Sequence, residues 1–286
     1  MRSVPGSTPK MISRGMDYRL LLLIGIWIIF GLIVLTSASA VNRFGDPFFY
    51  VKRQLLYGLI PGILGCFFFV RLRPSYLRPI GMVIAIISFL MLVAVLIPGI
   101  GSTHNTFARS WFVLWGISFQ PAELAKLGLI FAVATVAQWP GIDLQSFRSG
   151  FLPVVLVGSA PIVLVLLQPD LGSAILMFII LFGMLFVARA RYSHLFGLAM
   201  VALVSVVLLA VVAPYRMERL TTFLHPDQYL DGAGYHIRQA QIAIGSGGFF
   251  GRGLGHSIQK HAYLPEVHAD SIFAILAEEL GWFFSV

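Results

Sequence analysis

Long apolar runs, each closed by charged or turn-forming residues, set the pattern of this chain. They fall near residues 20–40, 54–70, 80–98, 121–138, 151–167, 171–188 and 195–213, and an eighth opens at Ser271 and runs to residue 286. Each complete run has 17 to 21 residues, close to the ~20 that carry a helix across a ~30 Å hydrocarbon core. None alternates with period two as barrel strands do, and in lipid the backbone groups of a segment must be satisfied within it. The pattern predicts an all-α polytopic membrane protein forming a single integral membrane domain over residues 1–286. Its eighth span, 271–286, is incomplete, and a long loop, 214–270, precedes it.

Composition agrees. With 58% hydrophobic and 11% charged residues, the chain carries more apolar surface than a water-soluble domain of this length can bury. Lys and Arg give the orientation. With a cytoplasmic N-terminus the inside segments hold ten, Arg2, Lys10, Arg14, Arg19, Arg71, Arg73, Arg78, Arg148, Arg189 and Arg191, against Arg43, Lys52, Arg53 and Arg109 in the short outside loops. That asymmetry follows the positive-inside rule and makes loop 214–270 extracytoplasmic. It also accounts for the largest share of the +8 net charge, so no nucleic-acid partner is needed.

Two local features have ordinary readings. The first run ends in Ala38-Ser39-Ala40, which resembles a signal-peptidase site, but it is longer than a signal peptide's apolar core and more spans follow. The single cysteine, Cys66, can form no disulfide within the chain and is expected to pack in the second span.

An ionisable residue in or beside a span costs roughly 2.5–3.5 kcal/mol and is by default a functional candidate. Within RSWFVLWGISFQPAELAKL, Pro121 can open the fourth helix, placing Glu123 and Lys126 three apart on one face. Either the acid sits on the helix dipole paired with the lysine, or Lys126 meets a buried anion, with Arg109 and Trp111 holding a phosphate at headgroup depth. Gln168-Pro169-Asp170 is either a tight turn or a break at the mouth of a cavity. GSGGFFGRGLG, residues 245–255, lacks the Gly-Lys-Ser/Thr ending of a phosphate-binding loop. Its glycines suit close backbone approach to a ligand or to the interface, with Phe249 and Phe250 at the headgroups, or else a flexible lid. In YLPEVHADSIFAILAEELG, Pro265-Glu266 ends any upstream helix, and Asp270, two residues after His268, stands at the start of the next one. Asp270 suits a helix cap or, at the water–lipid boundary, a general base.

The stretches FQPAELAKL, QPDLG, PYRMERLTTFLHPD, GAGYHIRQAQIAIGSGG and YLPEVHADSIFAILAEELG, in this order, closely resemble the SEDS family of membrane glycan polymerases, over nearly the whole chain from Asp17. GLGHSIQKHAYLPE and the Ser-Ala-Ser of the first span lie nearer the cell-division branch, FtsW, than the elongation branch, RodA. The resemblance implies a SEDS-type bundle with about eight of the family's ten spans present, so that the chain reads as C-terminally truncated. It implies a peptidoglycan glycosyltransferase that polymerises lipid II at the outer face of the cytoplasmic membrane, at the division septum. The partners implied are a class B penicillin-binding protein and other divisome proteins, and the cofactor is a divalent cation, Mg²⁺ or Mn²⁺, with no organic cofactor.

By the same resemblance the catalytic aspartate is Asp270, in His-Ala-Asp rather than the family's His-Thr-Asp. The substrate-binding set is Arg109 and Trp111, Glu123 and Lys126, Asp170, Glu266 and His268. Ala269 and Ser271 depart from the threonine and phenylalanine usual there, and Ala262 stands where some division enzymes carry an acid. Two other functions share these residues. A lipid II flippase would use Lys126 and Asp170 on a transport path, although the paired broken helices of inverted-repeat transporters are missing from the sequence. A silent divisome scaffold would use none of them.

Overall fold

The computed structural model describes residues 17–40, 46–102, 110–114, 117–212, 221–222, 233–261 and 270–285. Helices α1 (Tyr18–Ser39), α2 (Phe49–Arg71), α3 (Pro74–Leu96), α4 (Pro121–Val136), α5 (Phe147–Leu167), α6 (Leu171–Val187) and α7 (Tyr192–Val212) take up the seven apolar runs. A further helix, α8 (Ala233–Gly247), lies inside the segment expected to be loop, and α9 (Ile272–Ser285) occupies the eighth run. Five of these helices are both long and apolar enough to cross a membrane unaided, and the chain is a multi-pass membrane protein.

Local chemistry sets several boundaries. Asp17 caps α1, its Oδ1 accepting from the amides of Arg19 at 3.1 Å and Leu20 at 3.2 Å. Both α2 and α5 contain one widened π turn, Leu55–Leu59 and Phe147–Phe151. Each turn ends two residues before a proline, Pro61 or Pro153. A proline ring cannot donate to the carbonyl four residues back and crowds it, and a locally widened turn relieves that conflict. A two-stranded hairpin, β1 (Phe112–Leu114) with β2 (Ile117–Phe119), precedes α4 and pairs Val113 with Ser118. It is the one departure from all-α among the described residues. FVL and ISF are β-prone triplets with two residues between them, the shortest hairpin spacing.

Contacts gather into two units, residues 1–67 with 213–286, and residues 68–212. In the second, α3, α4, α5 and α6 share a core that includes Leu92, Ala125, Leu129, Val133, Val154, Met177 and Leu181. Lipid tails are as apolar as leucine, so close fit rather than water exclusion holds membrane helices together. The fit here uses small residues. A Cβ on Gly128 would overlap Ser88 Oγ and come within 3.0 Å of Ala85 Cα, so α3 and α4 meet almost backbone to backbone. Buried Gln168 reaches across to α3, its Nε2 donating to the Leu92 carbonyl at 3.1 Å.

In the first unit, Ala38 at the end of α1 shares a small core with Ala243 of α8 and Ala274 and Ile275 of α9. Ala38-Ser39 is thus packed and buried within the unit. Cys66, expected to pack inside, is exposed on α2 instead. It lies on a helix with no buried residue from Ile60 to Arg71, so its thiol is one more apolar group on an outward face.

Candidate active site and a buried carboxylate cluster

Ionisable side chains cluster in each unit. In the second, Pro121 occupies the first turn of α4, and Lys126 Nζ lies 2.7 Å from Glu123 Oε2, as the spacing of three predicts. Glu123 is more than half exposed and Lys126 mostly shielded. Gln120, just before α4, donates from Nε2 to Asp170 Oδ2 at 2.9 Å. Asp170 also caps α6, accepting from the amide of Ser173 at 3.0 Å and from its hydroxyl at 2.8 Å. Gln168-Pro169-Asp170 is therefore a tight turn, and its acid joins the ends of α4 and α6. Trp111 lies beside β1, exchanging backbone bonds with Ser102. Arg109 lies outside the described residues.

In the first unit, Asp270 sits exposed in the turn that leads into α9. Glu266 and His268 lie outside the described residues. At the end of its second turn, α9 carries Glu278 and Glu279, which are 0% and 2% exposed. Glu278 accepts from the Ser257 hydroxyl at 2.5 Å and from the amides of Ile258 at 3.0 Å and Gln259 at 3.3 Å, with an Arg252 nitrogen 3.9 Å away. Glu279 takes the ammonium of Lys260, itself 4% exposed, at 3.1 Å, and Ser37 Oγ lies 2.6 and 2.8 Å from its two oxygens. The Lys260 ammonium also donates to the Gly255 carbonyl at 2.6 Å.

The glycine-rich loop supplies the rest of this cluster. At Gly281 the backbone leaves helical geometry with φ 77°, a conformation that costs glycine little. The kink frees the carbonyls of Glu278 and Glu279, and the loop claims them through Arg252 N at 3.0 Å and Gly253 N at 2.8 Å. It equally frees the amides of Trp282 and Phe283, which donate to the carbonyls of Gly248 and Phe249 at 2.9 and 3.1 Å. All four groups stranded by the kink are thereby satisfied, as buried backbone requires. Gly251 and Gly281 touch so closely that a Cβ on either would overlap the other strand's backbone.

Sequence reasoning gave no site role to Ser37, Ser257, Lys260 or His236. The available signal was the excess of polar residues in SAS and GHSIQK. Among the described residues, no three His, Cys, Asp or Glu side chains converge as a metal site would need.

A family model described as cell cycle protein, for FtsW, RodA and SpoVE, matches residues 18–284. The chain belongs to that family. It is 41% identical over 255 residues to stage V sporulation protein E of Bacillus subtilis (strain 168), a match covering 88% of this chain and 69% of that protein. With the probable peptidoglycan glycosyltransferase FtsW of Geobacter sp. (strain M18) it shares 38% identity over 271 residues, 94% of this chain and 73% of the relative. Among solved structures it is similar to a chain from a study of how a peptidoglycan synthase complex coordinates polymerization and crosslinking. The TM-score there is 0.70 and the identity 29%, covering 93% of this chain and 71% of the other. The family's helical membrane fold is the fold described above.

Proposed function

We propose that this chain is a peptidoglycan glycosyltransferase of the FtsW type, which polymerises lipid II into glycan strands, with Asp270 as its general base. The placement of Asp270 carries the reading. Of the three carboxylates in the 270–279 stretch, Glu278 and Glu279 are buried and engaged, whereas Asp270 is exposed at the start of α9. Among the described residues no hydrogen bond or ion pair occupies it. A carboxylate left open in this way can accept a proton. As the 4-hydroxyl oxygen of the acceptor sugar attacks the anomeric carbon of the donor, its proton passes to Asp270. The bond from that carbon to the diphosphate breaks, undecaprenyl pyrophosphate leaves, and the anomeric configuration inverts.

The remaining assignments belong to the same proposal. Arg109 and Trp111 stand in the family's Arg-x-Trp element, and Glu123 and Lys126 in its Glu-x-x-Lys element, for binding the lipid-linked diphosphate. Asp170, Glu266 and His268 complete the substrate set. A divalent cation, Mg²⁺ or Mn²⁺, is part of the expectation, but the described residues do not converge to cage one, and the steps above use protein groups alone. The N-terminus is cytoplasmic, the chain works at the division septum, and its partner is a class B penicillin-binding protein.

The test is Asp270→Asn in the protein purified with that partner and given labelled lipid II. Asparagine caps a helix about as well as aspartate but cannot take the proton, a loss of ~10²–10⁴ in rate. The variant should insert, bind its partner and make little glycan. Full activity would remove Asp270 from the chemistry. Lipid II translocation without polymer from the unmodified protein would establish the flippase instead, and rescue of elongation rather than division in cells would move the chain to the RodA branch.

A further inference from the structure

His236, in the first turn of α8, brings its Nε2 to 2.5 Å from Oγ of Ser271, the residue that follows Asp270. Ser271 is 3% exposed although its neighbour Asp270 is open. The Ser271 carbonyl accepts two early amides of α9, from Ala274 at 3.0 Å and Ile275 at 3.3 Å. The helix therefore begins from a residue that α8 holds by its side chain. Behind this bond the two helices stay close. Ala243 packs with Ala274 and Ile275, and a Cβ on Gly247 would overlap the Ala277 carbonyl. A 2.5 Å contact between an imidazole nitrogen and a hydroxyl is at the short limit for a hydrogen bond. Either the serine donates to a bare Nε2 or a protonated Nε2 donates to the serine, and both ties fix the same two atoms.

We infer that His236 is a positioning residue for Asp270, fixing through Ser271 the turn that presents the carboxylate to the acceptor hydroxyl. This rests on the polymerase reading of Asp270. The side chain of Asp270 is open and has no described partner of its own, so its place is set by its backbone, and the His236–Ser271 bond anchors that backbone one residue away. A shift of about 1 Å in a reacting group can cost ~10²-fold in rate, so losing the anchor should be felt in turnover rather than in binding.

The experiment uses the purified protein with its partner transpeptidase and labelled lipid II, comparing His236→Gln, His236→Asn, His236→Ala and Ser271→Ala. Glutamine carries a side-chain nitrogen about as far out as imidazole Nε2, and asparagine falls one methylene short. The alanine and asparagine variants should lose roughly 10- to 100-fold in kcat, with KM for lipid II within about twofold, while glutamine keeps most of the rate. Ser271→Ala should lose at least as much as His236→Ala, and the double variant should be no worse than Ser271→Ala, because the serine's side of the shared bond is already gone. Backbone amides at 274 and 275 should exchange hydrogen faster in His236→Ala than in the unmodified protein.

Equal kcat across the set would overturn the inference while leaving the polymerase reading standing, as would a fall in melting temperature with kcat unchanged. If the alanine variant does not fold, the glutamine and asparagine pair still decides: equal rates for the two overturn the role. An unmodified protein that makes no polymer overturns the polymerase reading and the inference with it, a result distinct from the other two.

Discussion

Replacing Lys260 by methionine keeps the length and apolar stem of the side chain and deletes one charge from the carboxylate cluster. In the folded protein that charge lies 3.1 Å from Glu279 Oε1, with both residues at least 96% buried. At an effective dielectric of about 20 the gross attraction at that distance is ~5 kcal/mol. Breaking a buried pair by removing one partner costs ~3–5 kcal/mol net, because the other charge stays buried without compensation. Glu279 keeps the Ser37 hydroxyl and the Ser257 amide at 3.4 Å, which solvate the carboxylate but do not neutralise it. The remaining cation, Arg252, is 3.9 Å from Glu278 and partly exposed, so it does not substitute.

The assay is heat denaturation of the protein in detergent, followed by size-exclusion recovery. At about 2–4 °C per kcal/mol for a chain of this size, Lys260→Met should melt at least ~6 °C lower. Lys260→Met with Glu279→Gln restores neutrality while keeping an acceptor for Ser37, and should recover most of the loss. A melting point within ~2 °C of the unmodified protein, or a double variant worse than the single, would refute the claim that this ion pair holds the loop to α9.

Two pairs of substitutions test the second unit. Lys126→Met and Glu123→Gln, which break the same 2.7 Å ion pair, should each lower polymerisation while the protein still inserts and folds. A poorly folded Lys126→Met would make the pair structural. Gly128→Ala forces a methyl group against Ser88 Oγ and Ala85 Cα and should cost about 1–3 kcal/mol. Adding Ser88→Ala removes the nearer clash and should return part of that in the same melting assay.

Hydropathy located the long helices because continuous apolar runs of near-bilayer length leave the backbone little choice in lipid. It missed α8 for the converse reason. AGYHIRQAQIAIGSG mixes apolar residues with His236, Arg238 and Gln239, so it reads as loop by hydropathy although α9 gives it a surface to pack on. The hairpin before α4 was missed because Trp111 beside it was read for holding a phosphate at headgroup depth. At the sites, short-range pairs were legible, as with Glu123 and Lys126 three apart on one helix. The carboxylate cluster was not. Its hydrogen-bonding partners are 19 to 22 residues away in the loop and 242 residues away at Ser37, and no local period signals such contacts. The glycine run was visible, and the structure shows Gly247 and Gly251 admitting the kinked backbone of α9.

The segment entering α9 thus carries three acids in two environments, and that division explains why so much charge sits at the edge of a span. Each buried carboxylate carries an insertion penalty, met here by Lys260, Arg252, two serine hydroxyls and loop amides. What the cluster achieves is a fixed junction between α1, the glycine loop and α9. Eight residues separate Asp270 from Glu278, roughly 12 Å of helix rise, so the scaffold charges are held well away from the open one. Under the proposed reading the two environments divide the work: the buried acids hold the loop to α9, and Asp270 stands outside the cluster, open to an acceptor hydroxyl, on a helix that the cluster and the His236–Ser271 bond hold at two points.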